Sequence, residues 1–141
     1  WDTASLSRVA TLNPVRSGLG PFVDATFTAD GTRVATANSR SASIWDTTNG
    51  EELVRIDRQS GALNYVTFSP DDTLLATGGS QEEALRVFDA GNGQELANLY
   101  EDDVVAGYVA FSPDGRTMAV SVTPTERPTQ RGLHLWNYSR G

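Results

Sequence analysis

One histidine, no cysteine and 18 acidic residues bound the chemistry open to this chain of 141 residues. His134 has no second histidine and no thiol beside which to hold zinc. Asp30, Asp71, Asp72 and Asp114 are carboxylates of the kind that bind calcium. Each lies in a short strand-to-strand turn, however, where Asp bonds its own backbone, and the EF-hand spacing is absent. Glu101-Asp102-Asp103 suits a cation or a basic partner, but such a run reads first as a solvated loop. Gly78-Gly79-Ser80 opens no helix and so makes no phosphate cradle. Ser39, Ser41 and Ser43 have no histidine partner to activate a nucleophile. The expectation is a chain that is not an enzyme, with no metal site and no cofactor.

A repeat positions these residues. Tyr65-Val66-Thr67-Phe68-Ser69-Pro70-Asp71-Asp72 has a counterpart upstream, Asp24-Ala25-Thr26-Phe27-Thr28-Ala29-Asp30-Gly31, and one downstream, Tyr108-Val109-Ala110-Phe111-Ser112-Pro113-Asp114-Gly115. Phe27, Phe68 and Phe111 stand 41 and then 43 residues apart, a period that marks a repeat architecture. Alternating apolar residues divide each unit into short strands, here called a to d. They cover 22–28, 33–37, 42–46 and 52–56 in the first unit, and 64–69, 74–77, 84–89 and 95–99 in the second. The third has 108–112, 117–122 and 133–137. Asn49-Gly50 and Asn92-Gly93 predict Asn-Gly hairpin turns between strands c and d. Residues 7–12 read as one more short strand, 13–21 as a Pro- and Gly-bearing loop, and 123–132 as an irregular insertion. No 3.6-residue apolar period persists long enough for a helix, so the fold class is all-β, in units of four antiparallel strands.

Composition narrows the partners. Apolar content of 38% and charged content of 21% are those of a soluble globular chain. No apolar run is long enough for a membrane helix, so no membrane partner is expected. A net charge of −7 opposes phosphate backbones and disfavours nucleic acid. All 11 basic residues are arginine, which suggests a GC-rich, bacterial genome. The chain opens at Trp1 with no signal-like segment, and a cytoplasmic location is the expectation.

The units resemble the WD-repeat β-propeller family, bacterial-type WD repeats included. Trp45-Asp46 ends a strand c in the family's signature, and Trp1-Asp2, Phe88-Asp89 and Trp136-Asn137 occupy the corresponding places. Ser69-Pro70-Asp71-Asp72 and Ser112-Pro113-Asp114-Gly115 match the usual a-to-b turn, and residues 46–53 the c-to-d hairpin. The resemblance implies a buried hydrogen-bond tetrad, of which Thr36 and Thr77 keep the strand-b hydroxyl while Val120 replaces it. There is no Gly-His pair, and Ser39 or Arg40, and Glu82 or Glu83, stand where an Asp is expected. Stability is therefore expected to rest on packing of Phe27, Phe68, Phe111, Trp45, Phe88 and Trp136. The resemblance also implies that His134 is a polar, outward side chain on strand c.

On this reading residues 1–12 end a preceding blade as its strand d, 22–56 form blade 1, 64–99 blade 2, and 107–141 a blade 3 lacking its own strand d. Three blades do not close a ring, since propellers take about four to eight. Two arrangements satisfy the open faces: head-to-tail assembly of copies, or a longer parent chain of which this is a piece. Trp1-Asp2 duplicates the strand end at Trp136-Asn137 and favours the piece. The resemblance implies a non-catalytic protein–protein interaction scaffold or regulatory module, with a protein or peptide docked on the rim of d-to-a and b-to-c loops. Arg16, Arg58, Tyr100 and Arg127 in those loops, with Asn64, Tyr65 and Tyr108 at strand-a starts, are of types common at interface hot spots. Alternatives are a ligand-free oligomer-forming unit and a lactonase-like propeller hydrolase. The hydrolase needs metal-binding groups converging from the strand-a starts, and Asp24, Asn64, Tyr65 and Tyr108 are too mixed a set.

Overall fold

The computed structural model describes residues 20–57, 62–79, 85–99, 104–124 and 131–138, with Ala4, Ser7, Arg8, Glu126 and residues 10–12 besides. The described chain is all-β. Sheet 1 runs in the order β1 (Phe22–Phe27), β2 (Arg33–Asn38), β3 (Ser41–Asp46), β4 (Glu52–Asp57). Sheet 2 repeats it with β5 (Leu63–Phe68), β6 (Leu74–Gly79), β7 (Leu85–Asp89) and β8 (Glu95–Asn98). Sheet 3 holds β9 (Val104–Phe111), β10 (Thr117–Pro124) and β11 (Gly132–Asn137). Every pairing is antiparallel between sequence neighbours, and the three sheets do not close on themselves. No helix occurs among the described residues, and so none that is long and apolar enough to cross a membrane.

The a-to-b turns explain why the repeat keeps Ser or Thr two residues before Asp. Thr28, Ser69 and Ser112 donate their hydroxyls to Asp30, Asp71 and Asp114 at 2.7, 2.6 and 2.6 Å. The same hydroxyls accept the amides of Arg33, Leu74 and Thr117 at 3.0, 3.0 and 2.9 Å. The residue after the Asp takes positive φ: 71° at Gly31, 58° at Asp72 and 68° at Gly115. These carboxylates are turn builders, as their placement in the sequence suggested.

The c-to-d turns differ from the expected two-residue Asn-Gly type. That type needs positive φ at both central residues, whereas only Gly50 (74°) and Gly93 (75°) adopt it and Asn49 and Asn92 do not. The reason is Asp46, whose carboxylate accepts the Thr48 and Asn49 amides at 2.7 and 3.3 Å. Asp89 does the same for Gly91 and Asn92 at 2.8 and 3.2 Å. An Asp-capped longer turn needs one left-handed residue, not two.

Two apolar layers lie between the sheets. Ala35, Ala37, Ala42, Ile44 and Ile56 of sheet 1 pack on Leu63, Val66, Phe68, Leu75 and Phe88 of sheet 2. Tyr65, Leu74, Ala76, Leu85 and Val87, on the other face of sheet 2, pack on Ala106, Val109, Met118, Val120 and Val122 of sheet 3. Full burial of a side chain such as Ile44 or Leu75 stabilises by about 1.5–3 kcal/mol. Of the six aromatic residues expected to carry the packing, Trp45, Phe68 and Phe88 are buried, and Phe111 and Trp136 half-buried. Phe27 instead is 63% exposed, because its face of sheet 1 points away from sheet 2.

Sheet 3 departs from the expected boundaries. β9 begins at Val104, ahead of the expected start at 108, and β10 runs on to Pro124, inside the expected insertion. Val104 pairs Pro124 and Val105 pairs Thr123. A proline at a strand's last position leaves the inner ladder intact, and consecutive β-branched residues favour the extension. Residues 10–12 form no strand in the structure, but they run against the c-to-d turn of sheet 1, where a Cβ on Gly50 would lie 3.0 Å from the Thr11 carbonyl oxygen. The turn of sheet 2 meets β4 in the same way, Gly93 lying against Val54, Ile56 and the Arg55 carbonyl.

Candidate interaction surfaces

A polar skeleton ties sheet 1 together and joins it to sheet 2. The Trp45 indole Nε1 donates to Thr36 Oγ1 at 2.8 Å with both groups buried, so one limb of the expected tetrad is present. Phe88 and Val120 prevent the same bond in sheets 2 and 3. The ring of Phe22 closes over Trp45 edge-on, with centroids 6.2 Å apart. Asn38 organises the b-to-c turn: its Oδ1 accepts the Arg40 and Ser41 amides at 2.8 and 2.9 Å. Ser39 and Arg40 were the positions expected for this task; an Asx residue one place earlier was the available signal. Asp24 bridges the sheets, its Oδ2 accepting the Val66 amide at 2.9 Å.

Carboxylates of the turns are held ionised by their local bonds. The Thr32 backbone amide, followed by the Thr28 and Thr32 hydroxyls, brings Asp30 down to about 2. The Thr48 hydroxyl and amide lower Asp46, and the Ser112 hydroxyl and Arg116 amide lower Asp114. All three are solvent-facing, and hydrogen bonds to the charged form are the cause. Among the described residues no group of three or more His, Asp and Glu is placed to hold a metal ion. His134 is exposed on β11.

Three of the seven candidate docking residues fall within the described chain. Asn64 is exposed on β5. Tyr65 and Tyr108 occupy the same register in successive sheets yet have opposite fates, 4% and 78% exposed, with their rings 5.9 Å apart. Tyr65 is core between sheets 2 and 3, and its pocket exists because residue 78 is glycine: a Cβ there would come within 2.3 Å of Tyr65 Cε1. Burial first, and the charge of Asp24 second, push the Tyr65 phenol far above its ordinary value. The Val109 backbone approaches its oxygen without forming a hydrogen bond of normal geometry. Arg16, Arg58, Tyr100 and Arg127 lie outside the described residues.

Tyr108 marks the loop-rim end of a wider apolar surface. Leu133 and Leu135 share the register of Leu85 and Val87 in sheet 2 and of Ala42 and Ile44 in sheet 1. Those counterparts are buried under the next sheet, whereas Leu133 and Leu135 are 65% and 70% exposed. Tyr108, Leu133 and Leu135 thus form an exposed apolar face of a kind usually reserved for contact with another surface.

Antiparallel meanders stacked in register, with a Trp–Thr bond from strand c to strand b and Asp-capped turns, define sheets of the WD-repeat β-propeller type. Residues 23–141 match the family of the eukaryotic translation initiation factor eIF2A, and the chain belongs to that family. Over 54 residues it is also 32% identical to the U5 small nuclear ribonucleoprotein 40 kDa protein of Pongo abelii. That alignment takes in 38% of this chain and 15% of the relative, so the chain spans only a small part of that protein's length. Both matches support WD-repeat-like character, and neither singles out a bacterial type.

Proposed function

We propose that this chain is a non-catalytic protein–protein interaction module, a scaffold or regulatory element that docks a protein or peptide on the rim of its d-to-a and b-to-c loops. The observation carrying this reading is the pairing of Tyr65 and Tyr108: a buried ring supports an exposed one, and Asn64, next to Tyr65 on β5, is exposed as well. Tyrosine on a rigid support gives contact area at low entropic cost. The family's description as a translation initiation factor, and the relative's as a ribonucleoprotein component, support a role inside an assembly. The acidic balance of −7 favours protein over nucleic-acid contact within it, without any cofactor. A cytoplasmic setting suits this role, and the all-arginine basic set supports a bacterial genome.

The test is photo-crosslinking from a benzophenone side chain at position 108, with the same group at Leu96 on the outer strand of sheet 2 as control. Discrete protein adducts from position 108 that are absent from position 96 are expected. The same adduct pattern from both positions, or none from 108, would overturn the reading.

A further inference from the structure

The two inter-sheet junctions differ sharply at the opposite rim, where the a-to-b turns lie. Between sheets 1 and 2, Arg33 reaches across from the start of β2. Its Nη2 donates to the Asp72 carbonyl at 2.9 Å and its Nη1 to the Ala90 carbonyl at 3.5 Å, while its Cζ lies 5.7 Å from the centroid of the Phe68 ring. The Asp72 carboxylate returns the contact, accepting the Ala29 amide at 3.1 and 3.0 Å.

Moving one repeat along replaces the cation and its return partner and keeps the aromatic ring. Strand register places Leu74 where Arg33 stood, Gly115 for Asp72, Tyr138 for Ala90, Phe111 for Phe68 and Pro70 for Ala29. Matching turn bonds fix these equivalences: the Ala90 amide donates to the Thr73 carbonyl and the Tyr138 amide to that of Arg116. Pro70 has no N–H to give and Gly115 no carboxylate to receive it, so both halves of the tether are missing together. What stands there is a cleft of about 650 Å³, lined by Leu74, Gly115 and Tyr138 with Asp71, Asp114 and Arg116 around them.

We propose that this cleft receives the side chain of an arginine from a bound protein segment, in the place that Arg33 fills one junction earlier. By strand register the Gly115 and Tyr138 carbonyls correspond to the two Arg33 acceptors, and the half-buried Phe111 to Phe68, with Gly115 and Tyr138 themselves lining the cleft. Two acceptors beside an aromatic face suit a planar, forked guanidinium better than the point charge of lysine. The acidic chain adds a favourable field for a cation. Arg116, exposed, also lines the cleft from sheet 3, where it precedes Thr117, that sheet's own equivalent of Arg33, and the carboxylates of Asp71 and Asp114 line the cleft with it. The proposal rests on the protein-interaction reading but adds a second surface to it, on the rim away from Tyr108.

The probe is acetyl-Gly-Arg-Gly-amide, titrated into the 15N-labelled chain and followed by amide chemical shifts. The Gly115 and Tyr138 resonances should move saturably, and the citrulline peptide, uncharged but isosteric, should bind at least tenfold more weakly. Leu74→Arg fills the cleft from within and should abolish the response, while Leu74→Met should keep it. Equal responses to the arginine and citrulline peptides would overturn the proposal on the wild-type chain alone, whether or not the arginine variant folds. So would undiminished binding by a folded Leu74→Arg variant. A Tyr108→Ser chain should titrate like the wild type, so failure of loop-rim docking and failure of the cleft are read separately.

Discussion

Replacing Thr36 by valine keeps the side-chain shape and removes one atom's function. Trp45 Nε1 then has no acceptor at 2.8 Å, in a site where both residues are buried. A typical hydrogen bond contributes about 1 kcal/mol net, and stranding a buried donor raises the total cost to about 1–3 kcal/mol. Trp45→Phe removes the donor and reproduces the phenylalanine that sheet 2 carries at position 88. In the double variant no indole N–H is stranded, so the two losses are not additive, and a coupling of about 1–2 kcal/mol is expected. Urea unfolding followed by far-UV circular dichroism measures all four corners of the cycle. The slope against urea should stay constant, showing that native stability and not denatured-state compactness has changed. A Thr36→Val variant within about 0.5 kcal/mol of the parent, or additive losses, would refute the view that this bond helps secure sheet 1.

Other perturbations test other joints. Asp24→Ala takes a charge-assisted acceptor from the Val66 amide and should cost about 1.5–3 kcal/mol of stability in the same assay. Gly78→Ala drives a Cβ into the Tyr65 ring and should destabilise by about 1–3 kcal/mol, with Tyr65→Leu in the same chain restoring part of the loss. Asp30, Asp46 and Asp114 are lowered in the folded state, so their contribution is full above the ordinary 3.8 and is lost as pH falls through the folded values, about 2 for Asp30. Urea midpoints should therefore decline across that window, and Asp30→Asn should flatten the decline; an unchanged slope would count against the turn bonds as its source.

What the sequence made legible was local. The Phe-Ser-Pro-Asp repeat announces strand, turn and strand because the hydroxyl, the carboxylate and the left-handed residue all lie within five positions of one another. The same locality misled at Asn49-Gly50, where Asp46, three residues upstream, selects a longer turn. Asn38 was legible by the same local logic, since its carboxamide oxygen accepts amides only two and three residues ahead, although the turn role was expected at Ser39 or Arg40. Arg33 and Asp72 were beyond reach, because their contacts join residues 39 and 43 positions apart and exist only once two sheets are stacked. The opposite exposures of Tyr65 and Tyr108 could not be read either: residue type and strand position agree, and only the presence of a covering sheet separates them.

The unequal junctions also set an order of disassembly. Sheets 1 and 2 are clasped by Arg33, Asp72 and Asp24 around a shared apolar layer. Sheet 3 meets sheet 2 through apolar packing where those three residues have become Leu74, Gly115 and Tyr65. In a linear array, stability is a sum of unit and nearest-neighbour terms, so the array frays first at the weaker interface. The expected outcome is that amide protons of β9 to β11 exchange through an opening that leaves β1 to β8 intact, and equal protection of all three sheets in a hydrogen-exchange measurement would refute this order.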